Sequence, residues 1–505
     1  MNAIIDRITR IAQQNPDQIC YRNGDVTATY RQLSENSDKI ANFIQRKSLP
    51  EKSPIIAFGG QQFEMLCIFL GAIKAGHAYI PVDNGSDSDR IHQINNVAKP
   101  ALVFNWSDKE DFGIDTPIIS KEEIQQALNS GDAIYDSSKS VGPDDNFYII
   151  FTSGTTGTPK GVQISTNNLI DFVDWVNDEY HYTIDTKLIL QAPFSFDLSV
   201  FSIYPGLTNG ATLEVLDKKA NKDLALLQKT VLSTEATTWI STPSFFEMCM
   251  FFRDFNSETL PNLKKFIFCG EELTHVTAKK LLSRFKGAEL YNTYGPTENT
   301  VAITSIEITP ENLETFDRLP IGYLKKNMDH RLANVEEHDG ETVGELIVSG
   351  PDVSKGYLNN PVQTEKAFEN IDGKIFYHTG DMVSEDKDGL LFYKGRTDFQ
   401  IKMHGYRIEL EEVDSLLAGL DQVKQSCTVP LYNNKKQVNK IIAHVVLEDQ
   451  FQDSDDKELN LQIKSELKKN TMEYMIPNVF KFVKQLPISK NGKIDRKALI
   501  GEINA

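Results

Sequence analysis

The sequence predicts an α/β protein in two parts: a large N-terminal domain over residues 1–397 and a small C-terminal α+β domain over residues 398–505. Three observations carry this. From the N-terminus to about Asn292, short apolar runs suited to strands alternate with helical periods, the pattern of a mostly parallel sheet layered with helices. From about Ile303 to Tyr393 the helical periods fade and runs such as Glu345-Leu346-Ile347-Val348 take over, which predicts a β-rich antiparallel subdomain. Beyond Gly395-Arg396-Thr397-Asp398 the alternation restarts as a compact unit. A chain of 505 residues is long enough for about three structural units, each with its own core.

In order, Pro54 to Phe58 and Ala78 to Val82 read as strands, and between them Phe63, Leu66, Cys67, Leu70 and Ile73 mark a helix that stops at Gly76. Ala101 to Phe104 is another short strand, and the polar stretch 130–145 is a loop. Phe147-Tyr148-Ile149-Ile150-Phe151 has the aromatic and branched content of a buried strand. Ser165 or Thr166 then caps a helix carrying Leu169, Phe172, Val173 and Val176. Strands follow at Lys187 to Ala192, Thr237 to Ser241, Lys264 to Cys269 and Ala288 to Asn292. In the last part the pattern predicts a strand at Phe399 to Met403, a helix from Glu409, and strands at Lys424 to Val429 and Lys440 to Leu447. An acidic loop, Glu448 to Glu458, separates these from the next helix.

Composition excludes several classes. A net charge of −18 argues against general affinity for nucleic acid or an anionic membrane. The longest apolar stretch, near Leu66 to Ile73, is too short to cross a bilayer, so no membrane insertion is expected. The N-terminus lacks the basic start and apolar core of a signal peptide, which places the chain in the cytoplasm. The five cysteines are scattered and lack C-x-x-C spacing, so they read as reduced thiols without a metal.

The chemistry centres on Thr152 to Gly161, T-S-G-T-T-G-T-P-K-G. Gly154 and Gly157 allow close backbone approach to a ligand, while the hydroxyls of Thr152, Ser153, Thr155, Thr156 and Thr158, with loop N–H groups, offer donors to phosphate oxygens. Lys160 adds a charge, but its spacing is not that of a Walker A loop. Asp197 lies inside the apolar string Phe194-Ser195-Phe196-Asp197-Leu198, where a carboxylate needs a partner or water; it reads equally as a helix cap. Cys269 closes a strand, where open α/β sheets bind ligands, and reads equally as core.

The ten-residue string resembles the phosphate-binding signature of the adenylate-forming superfamily, and the superfamily's other motifs follow in order. Asn292-Thr293-Tyr294-Gly295-Pro296-Thr297-Glu298 resembles the adenine and α-phosphate segment, with Tyr294 on the base, Thr297 on the phosphate and Glu298 on Mg²⁺. Tyr377-His378-Thr379-Gly380-Asp381 resembles the ribose segment, with Asp381 accepting from the ribose hydroxyls and Tyr393-Lys394-Gly395-Arg396 completing that side. Asp398 matches the hinge between the two domains, and Lys493 matches the lysine of the closing motif, which reaches into the cleft to neutralise charge as carboxylate and α-phosphate meet. In members that use amino acids, the residue matching Asp197 holds the substrate ammonium, and Cys269 and Val301 would line the side-chain pocket.

The resemblance implies ATP and Mg²⁺ as cofactors and a two-step reaction. A carboxylate attacks the α-phosphate, releasing pyrophosphate, and a thiol then attacks the acyl-adenylate. F-S-F-D-L-S-V, F-C-G-E-E-L and Y-N-T-Y-G-P-T-E, with the chain length, most resemble the family of D-alanine–D-alanyl carrier protein ligases. That implies D-alanine as substrate, the phosphopantetheine thiol of a separate D-alanyl carrier protein as acceptor, and lipoteichoic acid D-alanylation as the purpose. No carrier segment follows the closing motif, which suggests a stand-alone enzyme. Two alternatives stay open: an adenylation domain for another small amino acid in peptide synthesis, and a non-catalytic ATP-binding sensor of the same fold.

Overall fold

The computed structural model describes residues 2–129, 132–152, 159–216, 223–338, 341–434, 437–452, 454–488 and 494–504. The chain divides into two compact units. One comprises Met1–Asn84, Val97–Phe151 and Gly161–Thr397; the other joins Gly85–Asn96 and Thr152–Lys160 to Asp398–Ala505.

Two sheets run through the larger unit. In the first, strands stand in the order Ile118–Ile119, Leu102–Asn105, Ile55–Gly59, Tyr79–Asp83, Asn146–Thr152, Lys160–Ser165. The pairs among the first five are parallel. Helix Phe63–Ala75 is buried on nearly every side, which its almost unbroken apolar sequence demands. It ends where Gly76 turns left-handed at φ 96°. The last strand of this sheet, Lys160–Ser165, is not evident from the sequence pattern, because Gly161 and Gln163 interrupt its apolar run.

The second sheet has a parallel half and an antiparallel half. Ile19–Asn23, Thr212–Val215, Lys187–Leu190, Thr238–Ser241, Lys265–Phe268 and Glu289–Tyr294 pair in parallel in that order. From Glu289–Tyr294 onward the partners are antiparallel: Thr304–Glu307, Gly322–Leu324, Leu390–Arg396, Lys374–Glu385, Glu341–Ser349 and Asp329–His338. The expected β-rich subdomain is therefore a continuation of the parallel sheet. An aromatic core built on Trp239, Phe246, Phe255, Phe266 and Phe285 packs against it.

One polar knot lies within this unit. Lys325, with a side chain 2% exposed, donates to Asp352 at 2.6 Å and to Asp171 on helix Thr166–Tyr180, and its ammonium lies 5.7 Å from the Trp175 ring centroid. Burial pushes the Asp352 carboxyl well above the usual range against the pull of Lys325, so the pair is stable only while both members are present. Replacing Lys325 with Met is expected to cost about 3–5 kcal/mol. Adding Asp352→Leu to that variant should recover part of the loss, as read by urea unfolding of the single and double variants.

In the smaller unit, strands Val423–Tyr432, Val438–Leu447 and Val479–Phe482 form a sheet over a core of Ile408, Leu417, Ile441 and Ile463. The acidic stretch expected as loop through Glu458 ends earlier. Asp455 accepts from the backbone N–H groups of Lys457 and Glu458, and helix Asp456–Asn470 begins there, its acidic first turn complementing the helix dipole. All five cysteines are buried and unbridged. Among the described residues no helix is long and apolar enough to cross a membrane.

Candidate active site

Parallel pairing puts the carboxyl ends of Lys187–Leu190, Thr238–Ser241, Lys265–Phe268 and Glu289–Tyr294 at one edge of the sheet. Asp197, Cys269 and the segment from Tyr294 follow from these strands, so the topology gathers residues 197, 269 and 294–301 from separate regions of sequence.

Asp197 occupies the N-cap position of helix Leu198–Thr208 yet makes no side-chain capping bond. The cap reading therefore does not account for it. Its charge is felt by Tyr148, a buried tyrosine in the Asn146–Thr152 strand whose hydroxyl has no hydrogen-bond partner among the described residues. Burial first, then Tyr79, Asp197 and Asp352, push the Tyr148 hydroxyl well above its ordinary range, so it stays protonated as a donor. Sequence reasoning passed over Tyr148 because it sits in an apolar run.

Cys269 and Val301 come together. The Cys269 Sγ lies 3.8 Å from the Val301 carbonyl oxygen, both residues are buried, and both belong to one apolar cluster with Ile240, Ile267 and Ala302. The turn that delivers Val301 is tight: a Cβ on Gly295 would lie 2.5 Å from the Ala302 Cα, so only glycine lets the two strands of the turn approach. Thr300 and Val301 both adopt left-handed conformations, φ 49° and 75°, which branched side chains rarely accept. Thr300 is held there by donating its hydroxyl to the Asp352 carbonyl at 2.8 Å.

The segments that resemble the nucleotide-binding motifs are joined by side chains. Thr293 donates to the Phe268 carbonyl and Asn292 to the Pro320 carbonyl, which fix the strand. The Tyr294 hydroxyl donates to Asp381 at 2.5 Å, and Arg396 donates to the other oxygen of Asp381 at 2.5 Å. An ionised carboxylate has about four acceptor positions, so Asp381 keeps capacity for further hydroxyls. Tyr393 is partly buried, with the Arg318 guanidinium 5.1 Å from its ring centroid. Lys394 is exposed and pairs with Glu341, while Gly395 turns at φ 132°.

Pro296 precedes a short 3₁₀ turn, Thr297–Asn299, in which Glu298 and Asn299 are fully buried. Glu298 accepts from the Tyr357 hydroxyl at 2.8 Å. Among the described residues, neither polar atom of the buried Asn299 amide has a hydrogen-bond partner, and neither does the buried Thr152 hydroxyl; buried polar groups as a rule have partners, and for Asn299 a nucleotide with its waters would offer them. Lys160 is buried at the head of its strand. Asp398, in the smaller unit, accepts from the Gln400 backbone N–H at 3.1 Å. Ser153, Gly154, Thr155, Thr156, Gly157 and Lys493 lie outside the described residues.

Comparison with known proteins places this arrangement. Residues 8–358 match the family described as AMP-binding enzyme, and residues 412–493 match the AMP-binding enzyme C-terminal domain. The chain belongs to the AMP-binding enzyme family. It is 47% identical over 99% of both chains to a D-alanine–D-alanyl carrier protein ligase of Lactiplantibacillus plantarum. It is 43% identical over the full length of both chains to one of Staphylococcus haemolyticus. Among solved structures it resembles a Vibrio cholerae adenylation domain in complex with glycyl-adenosine-5′-phosphate, with a TM-score of 0.80 at 21% identity, covering 100% of this chain and 98% of that one. An adenylation and carrier di-domain from Klebsiella oxytoca gives 0.80 at 22% identity over 95% and 94% of the two chains. At that identity these two likenesses concern the fold.

Proposed function

We propose that this protein activates D-alanine with ATP to D-alanyl-adenylate, releasing pyrophosphate. It then passes the D-alanyl group to the phosphopantetheine thiol of a separate carrier protein, for lipoteichoic acid D-alanylation. The observation that carries this reading is the identity of 42–47%, over at least 98% of each chain, to ligases named for that reaction. The work is assigned to the cytoplasm, where ATP is at hand and buried cysteines stay reduced.

Residues take the following roles. Thr152 to Gly157 and Lys160 receive the phosphates; Asn292 to Thr297 hold adenine and the α-phosphate; Asp381, with Tyr393, Lys394, Gly395 and Arg396, holds the ribose side. Asp197 takes the ammonium, Lys493 the developing negative charge, and Asp398 is the pivot between domains 1–397 and 398–505. The residues present also suit magnesium. No group of three or more His, Cys, Asp or Glu among the described residues could hold a metal, but magnesium in nucleotide sites uses one or two carboxylates and completes its shell with phosphate and water. Glu298 supplies such a carboxylate; magnesium bound there would neutralise phosphate charge. Catalysis then rests on placing the D-alanine carboxylate in line with the α-phosphate and on charge stabilisation.

The test is amino-acid-dependent ATP–pyrophosphate exchange with both alanine enantiomers, glycine and serine, followed by loading of purified holo-carrier. D-alanine should dominate. Strong exchange with another small amino acid would favour a peptide-synthesis role, and silence with all of them would favour a sensor.

Cys269 carries the enantiomer preference. With ammonium and carboxylate pinned, the two alanines differ in where the methyl points, and the wall formed by Cys269 and Val301 is proposed to meet the misplaced one. One methyl against an apolar wall is worth about 1–3 kcal/mol, or roughly ten- to two-hundred-fold. Cys269→Ala is expected to raise kcat/KM for L-alanine and narrow that ratio with little change for D-alanine. A ratio that does not move would return Cys269 to core packing.

A further inference from the structure

Residues 352–358 touch two parts of the larger unit at once. On one side they fasten the 297–301 turn: the Ser354 N–H donates to the Glu298 carbonyl at 2.8 Å, Thr300 donates to the Asp352 carbonyl at 2.8 Å, and the Tyr357 hydroxyl donates to Glu298 Oε1 at 2.8 Å. On the other side they run against strand Lys160–Ser165, which leaves the phosphate-loop sequence. Val162 bridges Tyr357, Leu358 donates to the Gly161 carbonyl at 2.8 Å, and Gln163 and Gly356 share a backbone bond of 3.1 Å. The segment is itself anchored, through Asp352 on Lys325 and through the Asn168 amide on the carbonyls of Pro351 and Val353. The Phe368 ring packs on Tyr357 at 5.8 Å and 73°, which fixes the phenol.

We propose that Tyr357 is a positioning residue for the magnesium-binding carboxylate, holding Glu298 in register with the strand that follows the phosphate loop. A fully buried carboxylate needs a donor to be tolerable, and this donor is rigid, neutral and aimed at one oxygen. Since the backbone of Tyr357 is paired to Val162, the carboxylate and the loop strand are set by one residue. The inference rests on the assignment of Glu298 to magnesium, and the experiment separates the two.

Wild type, Tyr357→Phe, Glu298→Gln and the double variant are compared by calorimetric titration of ATP in EDTA and by electron paramagnetic resonance titration of Mn²⁺ into the ATP complex. Tyr357→Phe keeps the ring and removes only the hydroxyl. It is expected to leave ATP affinity in EDTA within about twofold, yet weaken Mn²⁺ about tenfold, the scale for outer-shell partners of metal ligands. Glu298→Gln should weaken Mn²⁺ at least as much, and the double variant should be no worse than Glu298→Gln alone. If Glu298→Gln weakens Mn²⁺ and Tyr357→Phe does not, the positioning role is overturned and the metal assignment stands. Equal loss by Tyr357→Phe with and without metal also overturns it, in favour of packing. Unchanged Mn²⁺ affinity in Glu298→Gln removes the metal assignment and this inference with it.

Discussion

Lys493→Ala is expected to lower adenylate formation by about two to three orders of magnitude, the usual scale for one lost charge-stabilising donor, while ATP binding and folding stay close to wild type. The stem of the segment bearing it supports this. Ile488 and Ile494 form an antiparallel bridge, the Asp495 N–H donates to the Pro487 carbonyl at 2.8 Å, and Arg496 pairs with Asp414 with its guanidinium 4.4 Å from the Phe399 ring centroid. These contacts join described residues on either side of the lysine, and urea unfolding of the variant should match wild type. Transfer from preformed D-alanyl-adenylate to the carrier thiol should fall far less. The two half-reactions are measured separately, by pyrophosphate exchange and by carrier loading; equal losses would defeat the assignment of Lys493 to the first step.

Asp197→Ala is expected to weaken D-alanine binding by about 2–5 kcal/mol, at least thirtyfold, because one member of a desolvated charge pair is removed. ATP affinity should change little. Asp197 makes no side-chain capping bond, so a loss of stability on its replacement would report a structural role other than capping. Calorimetric titration of D-alanine with and without ATP, beside urea unfolding, distinguishes the outcomes. Unchanged D-alanine affinity with lowered stability would make Asp197 a structural residue and reopen the substrate class.

What was legible in the sequence was whatever is decided locally. The expected strands around Ile56, Ile80, Val103, Ile149 and Ile240 form because each is a short apolar run with nowhere to go but a sheet interior. Helix Phe63–Ala75 stops at Gly76, and Ser165 caps the helix after the phosphate segment, both for reasons contained within a few residues. The residues that were not legible are those whose meaning depends on a distant partner. Tyr357 and Glu298 are 59 positions apart, and Lys325 and Asp171 are 154 apart. Single-sequence patterns carry no signal for such pairs. Tyr148 was hidden differently, since a phenol in an apolar strand looks like core until its hydroxyl proves to be without a partner among the described residues. The motif residues were found through resemblance, which reports on distant pairings without revealing why they hold.

The left-handed backbone at Val301 has an evolutionary consequence. A branched residue at φ 75° holds about 1–3 kcal/mol of conformational strain, which glycine at the same place would release. Val301 is also buried in the apolar cluster with Cys269, so glycine would trade that relief against lost packing, and the side chain is kept at the cost of a strained backbone. If that side chain forms the proposed pocket wall, the strain is the local cost of a catalyst that stays choosy.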